Sequence, residues 1–557
     1  MIDLIYVTYN SEKWIAQCFD SILDNDYDLK QINIIVVDNA STDKTVNILQ
    51  NKKSKMLNHF ASFNIIQNKN NEGFGKANNI GFSKGCSEFV CFFNIDTRLF
   101  KNTLSVLTNV ISHSEKDVAL WELRQFPYEH PKMYDPVSME TEWCSGAAFA
   151  VKRDVFKKIN GFDETLFMYA EDVDLSWRIR CLGYKIKYIP KARIYHYAYE
   201  NVQTIKLTQH VYGVVNNLLL RYRFGTFKDI LIGHMLFCRV MALPPVLKGS
   251  KQALLKTYAR HFSKIVHFYQ GGMYKHNSYF LPLFTGFDYG LTRMGSFYLN
   301  QPLNNTPLVS VIVRTHQRPD ILKEALISLR NQTYPNIEVV IVEDGANQSE
   351  QMIQSEFSNI NIRYFATGQK VGRSKAGNLA IQKASGKYIN FLDDDDLFFA
   401  DHVEVLVNVL EHSTEKAAYS IGLETSIQIT SLSPYRYKIK KAQTIHHQPF
   451  DRIMLCHHNY IPIQCIMFSR ELFDLYGGLD ESVDALEDWD LWVRYSLHTD
   501  FVYVEKTTSI YRIPYDTSQN DARQKILDNT LIEMREKHKN YMQKISVYDI
   551  AKIYEKD

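Results

Sequence analysis

One chain-length feature outweighs every other: the sequence repeats itself. A β-rich run, Leu4 to Asn10, leads into a helical pattern from Trp14 to Leu23, an apolar run from Ile32 to Val37 and an acidic, turn-rich loop from Asp38 to Asp43. The same order returns in Val309 to His316, Ile321 to Leu329, Ile337 to Val342 and Glu343-Asp344-Gly345. Three more motifs recur in sequence. Gly75 to Asn79 is echoed by Ser374 to Asn378, and Phe92 to Asp96 by Phe391 to Asp395. Glu171-Asp172-x-Asp174-Leu175-x-x-Arg178 is echoed by Glu487-Asp488-x-Asp490-Leu491-x-x-Arg494. Each match falls about 300 residues after its partner, with drifts of the size that loop-length differences produce. That period is far too long for a solenoid, so the chain holds two similar domains.

Strands alternating with helical patterns predict an α/β fold with a largely parallel sheet. The continuous apolar runs suit strands buried on both faces. In such sheets the ligand crevice lies outside the strand C-termini. Asp38, Asp96, Glu343 and Asp395 all stand at the ends of apolar runs. The expected division is a first domain at 1–205, a helical segment at 206–305, a second domain at 306–520 and a helical tail at 521–557.

Composition narrows the function classes. Lys+Arg (64) against Asp+Glu (62) leaves a net charge of +2, which argues against a nucleic-acid binder. No apolar run reaches the ~18 residues of a membrane span, and the N-terminal run reads as a strand rather than a secretory leader. None of the eight cysteines forms a C-x-x-C pair, so reduced structural thiols in a cytoplasm are expected, not a zinc framework. Between Lys206 and Lys275 there are eleven Lys/Arg and one acid, Asp229, interleaved with Leu, Phe and Tyr. Such a segment either lies on an anionic membrane surface or joins the two domains with its cations in water.

The motifs have a chemical order. An acidic loop after the second strand can hold a nucleoside. A D-x-D-like site after a later strand can hold a divalent cation with a diphosphate, and a Glu-Asp pair beyond it can supply a general base. Together these are the parts needed for group transfer from a nucleotide-activated donor. Trp177 and Trp492 follow the two Glu-Asp pairs on the same helices. They read as core anchors, with a sugar-stacking platform as the competing role.

Val7 to Asn10, Val36 to Asp43, Asn71 to Asn79, Asn94-Ile95-Asp96 and Gly161 to Glu164 with Glu171-Asp172 resemble the inverting family 2 glycosyltransferases of the GT-A fold. The first repeat is most similar to the bacterial rhamnosyltransferase-type branch. Arg314 to Pro319, Val342 to Gly345, Asp393 to Asp396 and Gly477 to Asp480 before Glu487-Asp488 resemble another branch of that family. The resemblance covers about 1–200 and 308–515.

It implies two GT-A domains joined by a helical segment. Thr8, Asn10 and Asp38 would line the nucleoside site of the first domain, with Asn94 beside the donor and Lys76 and Asn79 in its pocket loop. Asp96 and His196 would hold Mg²⁺ or Mn²⁺, and Asp172 would be the base. In the second domain Thr315, Glu343, Asp344, Lys375, Asn378 and Asp393 would bind donor, Asp395 would bind metal, and Asp488 would be the base. Tyr511-Arg512-Ile513-Pro514 carries no His where the first domain has one, and Gln317 stands where Asn10 stands in the first repeat.

The implied activity is two inverting transfers from nucleotide sugars, dTDP- or UDP-linked, onto a glycan or lipid-linked glycan of a bacterial surface polymer. It would take place in the cytoplasm with peripheral membrane contact and no nucleic acid. The alternatives are one catalytic domain beside one that grips the acceptor, or a carbohydrate-binding scaffold without catalysis. The intact Glu-Asp pairs weigh against the scaffold, because binding alone needs no base.

Overall fold

The computed structural model describes residues 1–197, 206–270, 274, 279–297, 301, 303–483 and 485–542. The chain divides into two compact units, Met1–Thr292 with Ser296–Leu299, and Arg293–Gly295 with Asn300–Asp557.

Unit 1 is built on an eight-stranded sheet: β1 (Ile2–Thr8), β2 (Ile32–Asp38), β3 (Ser62–Gln67), β4 (Phe89–Asn94), β5 (Thr97–Leu99), β6 (Val118–Phe126), β7 (Ala148–Lys152) and β8 (Lys185–His196). The spatial order is β3-β2-β1-β4-β7-β6-β8-β5. Strands β3, β2, β1 and β4 run parallel; β7 is antiparallel to both its neighbours. Helices cover both faces, which is why β1 is apolar at successive positions. Leu4 and Tyr6 pack with Phe19 on one side, and Ile5 packs with Phe92 and Phe156 on the other. A two-residue pair, β9 (Phe284–Thr285) and β10 (Asp288–Tyr289), follows.

Unit 2 repeats the plan with β11 (Val309–Thr315), β12 (Ile337–Glu343), β13 (Ile362–Ala366), β14 (Tyr388–Phe391), β15 (Leu397–Phe398), β16 (Ala417–Leu432), β17 (Tyr435–Thr444), β18 (Ile466–Ser469) and β19 (Phe501–Pro514). Its order, β13-β12-β11-β14-β18-β16-β19-β15, matches unit 1 strand for strand, with β17 added as a hairpin on β16. This is the α/β, GT-A layout expected from the sequence, present twice.

The segment after β8 forms helices Leu207–Phe224, Phe227–Ala242 and Ser250–Gln270, all within unit 1. Its cations do not share one environment. Arg221 is buried, donating to Asn217 Oδ1 (2.8 Å) and to the Asp229 carbonyl (3.0 Å). Arg223 is buried as well, against Asp163 and Asp174. These two side chains are structural, unlike the exposed Lys228, Arg239 and Lys256 of the same segment. Trp177 is buried in the same cluster, against Phe224, Phe284 and Tyr289. Trp492 is buried too, its indole N–H on the Ile461 carbonyl, so both tryptophans are core anchors.

The C-terminal helix Thr517–Met542 docks on unit 2 through Met534 and His538, the latter edge-on to Trp489 at 4.6 Å. Residues 543–557 of the expected tail lie outside the described residues. Among the described residues no helix is long and apolar enough to cross a membrane.

Candidate active sites

The strand order reverses between β1 and β4, and the crevice at that point collects the strand C-termini. Thr8 ends β1, Asp38 ends β2, Asn94 ends β4 and His196 ends β8. Thr8 Oγ1 donates to Asp38 Oδ1 at 2.9 Å, and the Ser41 hydroxyl donates to the same oxygen at 2.6 Å. Asn10 has φ 48°, a conformation Asn tolerates well, and its Oδ1 accepts from the Thr42 N–H at 2.9 Å. Gln317 holds the same backbone shape, φ 54°, with a residue less suited to it.

Antiparallel pairing of β5 with β8 sets Thr97 opposite His196 and so brings Asp96 to the imidazole. His196 Nε2 lies 3.3 Å from Asp96 Oδ1 and 3.5 Å from Asn94 Nδ2. On its other side His196 Nδ1 is 3.0 Å from Gln125 Oε1. An amide oxygen there calls for N–H at Nδ1 and turns Nε2 toward Asp96. That second contact, with Gln125, has no sequence motif to announce it. Burial, the largest influence on Asp96, acts to raise its pKa, but His196 and Lys206 bring the carboxyl below the usual range. A carboxylate beside an imidazole nitrogen offers two donor types that Mg²⁺ or Mn²⁺ accepts.

Unit 2 differs at this point. Among the described residues of both units, no group of three or more His, Cys, Asp or Glu is arranged as a metal site, so the difference lies in the donors around the acidic motif. β15 pairs with β19 through Leu397–Ile510 and Phe398–Ser509. One further step along that register reaches Tyr511, in the place His196 takes in unit 1. Its hydroxyl is committed to Glu424 Oε2 at 2.6 Å. The four aspartates are met by this chain's own donors instead. Arg314 clasps Asp393 at 2.7 and 3.0 Å. Asp394 takes Thr315 Oγ1 at 2.7 Å and a close contact from Arg318. Asp395 Oδ2 lies 3.3 Å from Arg318, and Asp396 Oδ1 accepts the Arg512 N–H at 3.0 Å. This donor set does not suit a divalent cation. Thr315 therefore serves Asp394, whereas Thr8 serves Asp38. Glu343 accepts from Gln348 N and Ser349 N, each at 3.1 Å, and Asp344 accepts from Gly372 N at 3.0 Å.

The two expected bases sit in matching frames. Each is the second residue of a helix, Glu171–Cys181 or Glu487–Ser496, behind a left-handed non-glycine residue, Ala170 (φ 66°) or Leu486 (φ 59°). Such a conformation costs about 1–3 kcal/mol, borne here at the turn that aims the carboxylate. Asp172 Oδ2 accepts from Gly146 N at 2.8 Å, and Asp488 Oδ2 from Asn459 Nδ2 at 3.0 Å. Burial raises Asp172, and burial with the Glu487 charge pushes Asp488 up to about 7. The neighbouring glutamates diverge. Glu171 is pushed up to about 8 by burial and then by Asp172, and its Oε2 has no partner. Glu487 is held by Arg314 at 2.8 Å. Arg314 thus ties the acidic loop to the base helix, a link that unit 1 lacks because Val7 stands in its place.

Asn79 and Asn378 are clamps. Asn79 donates to the Phe162 carbonyl and accepts the Phe162 N–H, both at 2.9 Å. Asn378 does the same with Leu479, at 2.8 Å each way. A Cβ on Gly161 or Gly478 would come within 2.4 or 2.2 Å of the clamping Oδ1, which explains the glycines in Gly161-Phe162-Asp163 and Gly478-Leu479-Asp480. Lys76 pairs with Glu72 at 2.6 Å near the surface, and Lys375 is exposed.

Each clamp leads to a staple that sequence reasoning missed. Asp174 and Asp490, two residues after the bases, are fully buried and pair with Arg178 and Arg494 of their own helices, each at 2.8 Å. A cation from a later helix then bridges each of them to the aspartate of the clamped loop. Arg223 joins Asp174 to Asp163, and Lys537 joins Asp490 to Asp480 at 2.7 and 2.6 Å.

The pattern of glycosyl transferase family 2 matches residues 3–175 and 310–475, more than half of the chain and one stretch in each unit. The chain belongs to that family. It is a glycosyltransferase with the family's domain twice. An uncharacterized glycosyltransferase of Rickettsia typhi is 27% identical over 39% of this chain and 67% of its own length. Another, of Rickettsia prowazekii, is 28% identical over 34% of the chain and 59% of its own length. Glycosyltransferase GlyA of Streptococcus pneumoniae is 35% identical over 20% of the chain and 16% of its own length. The glycosyltransferase therefore spans from 16% to 67% of the lengths of these relatives. Among solved structures, the mannosyltransferase PcManGT from Pyrobaculum calidifontis has TM-score 0.32 at 17% identity, covering 49% of this chain and 72% of that one. S. aureus TarS has TM-score 0.33 at 19% identity, covering 51% and 57%.

Proposed function

We propose that each unit transfers one glycosyl group, with inversion, from a nucleotide sugar to a growing glycan of a bacterial surface polymer. The observation that carries this reading is the doubled base frame. Asp172 and Asp488 each hold a carboxylate between two hydrogen-bond donors, Gly146 N with Val173 N and Asn459 Nδ2 with Trp489 N, at a helix start beside the strand C-termini. Such a group takes the proton of an acceptor hydroxyl as its oxygen attacks the anomeric carbon opposite the departing nucleotide. Thr8, Asn10, Asp38 and Asn94 would seat the donor in unit 1, with Lys76 reaching it from the pocket loop that Asn79 shapes. Thr315, Glu343, Asp344, Asp393, Lys375 and Asn378 are their counterparts in unit 2. Asp96 and His196 would hold Mg²⁺ or Mn²⁺, which supplies charge stabilisation at the diphosphate. Two linked sites raise the local concentration of one product at the next site. Thermal-shift screening of UDP-, dTDP- and GDP-sugars, followed by transfer assays with each base replaced in turn, tests the reading. If only one base variant ever loses a donor-specific activity, the other unit is an acceptor grip rather than an enzyme.

The Asp488 environment makes a pH prediction. A base must be unprotonated to act, and Asp488 is pushed up to about 7. Unit 2 transfer is expected to fall on acidification below about pH 7, approaching tenfold per unit well below it. A rate profile for the unit 2 donor that stays flat from pH 5 to 8 would remove Asp488 from this role.

Peripheral membrane contact is supported by the helical segment. Phe227, Leu231 and Met235 recur every four residues on one helix and are 82%, 52% and 63% exposed. Leu255, Phe262 and Val266 form a second apolar stripe, 53%, 65% and 58% exposed. Lys228, Arg239, Lys248, Lys251, Lys256 and Arg260 border them, and the single acid, Asp229, is engaged in capping Thr226. Apolar side chains amid cations suit the interface of an anionic bilayer, where a lipid-linked acceptor resides. Flotation with phosphatidylglycerol vesicles is expected, with partial release by salt, and none with phosphatidylcholine alone. Flotation that survives Leu231→Glu with Phe262→Glu would refute the contact.

A further inference from the structure

The two units treat the end of the fourth parallel strand in opposite ways, and arginine is the difference. Arg314, Arg318 and Arg512 surround Asp393 to Asp396 in unit 2. The positions that correspond in unit 1 hold Val7, Ser11 and Tyr197, none of them charged. Arg318 is 43% exposed and spans Asp394 and Asp395. Arg512 is 6% exposed, with Nε on the Asp395 carbonyl and Nη1 on Glu324. Its third nitrogen, Nη2, has no hydrogen-bond partner. A buried guanidinium N–H without a partner is costly, and a phosphate oxygen is the acceptor that guanidinium geometry fits best. Tyr435 and Tyr437 of the added hairpin lie over this guanidinium, 5.5 and 5.1 Å from ring centre to Cζ. β17, which carries both rings, pairs with β16 alone among the described strands.

We propose that unit 2 binds the diphosphate of its donor directly through Arg318 and Arg512, without a divalent cation, so that the chain holds a single catalytic metal, at Asp96 and His196. The fixed charge of two guanidiniums does in unit 2 what the ion does in unit 1. Tyr511, committed to Glu424, leaves no imidazole to complete a cation site. The proposal rests on the reading of unit 2 as a nucleotide-sugar transferase.

The test uses the full chain. Mn²⁺ titration followed by electron paramagnetic resonance, with UDP, GDP and dTDP added in turn, is expected to find one bound ion per chain. Asp96→Ala should remove it, and Asp395→Asn, chosen to keep the fold, should leave it. Calorimetry of the same nucleotides on the Asp96→Ala, His196→Ala chain in EDTA should still find one site. Arg318→Ala should weaken that site by about 10–100-fold, as loss of a charge-assisted contact does, and Arg318→Lys by less. A second Mn²⁺ lost on Asp395→Asn, or EDTA-resistant binding indifferent to Arg318→Ala, overturns the proposal. No nucleotide binding by unit 2 with or without metal would overturn both the proposal and the transferase reading of that unit.

Discussion

Asp172→Asn is expected to cut transfer by unit 1 by ~10²–10⁴-fold while unit 2 continues, and Asp488→Asn to do the reverse. The substitution is nearly isosteric. Asn at 172 still offers an oxygen to the Gly146 N–H that now bonds Asp172 Oδ2 at 2.8 Å, but its NH2 replaces the Oδ1 that accepts from Val173 N at 2.8 Å, so one of the two donors loses its acceptor. What disappears is the ability to take a proton. Because burial raises Asp172 and Asp488, a neutral side chain relieves a charge that burial disfavours, which offsets the one hydrogen bond lost among the two that each carboxylate accepts. Nucleotide binding and melting temperature should therefore be unchanged while turnover collapses. A variant with full turnover of its own donor would show that another group is the base.

Arg223→Ala is expected to destabilise unit 1 by about 1.5–3 kcal/mol, because it removes one of the two guanidiniums on buried Asp174, leaving Arg178, together with the tie to Asp163. Arg223 is 5% exposed in its side chain, and Asp174, which it meets, is 0% exposed. The loss should appear as a fall of several degrees in melting temperature. Activity of unit 1 should fall with it, since Arg223 fastens both the clamped loop at Asp163 and the helix that carries Asp172. Lys537→Ala, at a side chain 30% exposed, should cost less, about 1 kcal/mol. Arg223→Lys should recover part of the loss, because a lysine does this work in unit 2. Denaturant unfolding of the three variants decides the matter, and an Arg223→Ala chain as stable as the parent would sink it. For the same reason, replacing Arg221 and Arg223 with Glu would report on folding rather than on lipid; the exposed Leu231 and Phe262 are the informative positions.

The base frame shows how much could be read in advance. Glu171-Asp172 and Glu487-Asp488 were legible as motifs because the chemistry needs a carboxylate at that place in the order. The left-handed Ala170 and Leu486 that aim them were not, since neither residue type signals a positive φ. Asp174 and Asp490 were visible in the repeated pattern, but their purpose was not. Their partners Arg223 and Lys537 lie 49 and 47 positions away in helices that carry no repeat of each other. The family resemblance implied that Asn79 and Asn378 belong to the donor-pocket loop, and folding turns both amides onto a glycine-bearing loop.

The sequence by itself determined the duplication, the α/β class, the strands whose ends face the crevice and the family, because those depend on local periodicity and on residue types repeated in order. Only the tertiary structure decided which charges cancel. Asp96 meets His196 through the pairing of β5 with β8, and Asp393 to Asp396 meet Arg314, Arg318 and Arg512 from three separate strands and loops. Coulomb interactions and hydrogen bonds act across a few ångströms of space rather than along the chain, so the same acidic motif becomes a metal-ready pair in one unit and an arginine-filled cluster in the other.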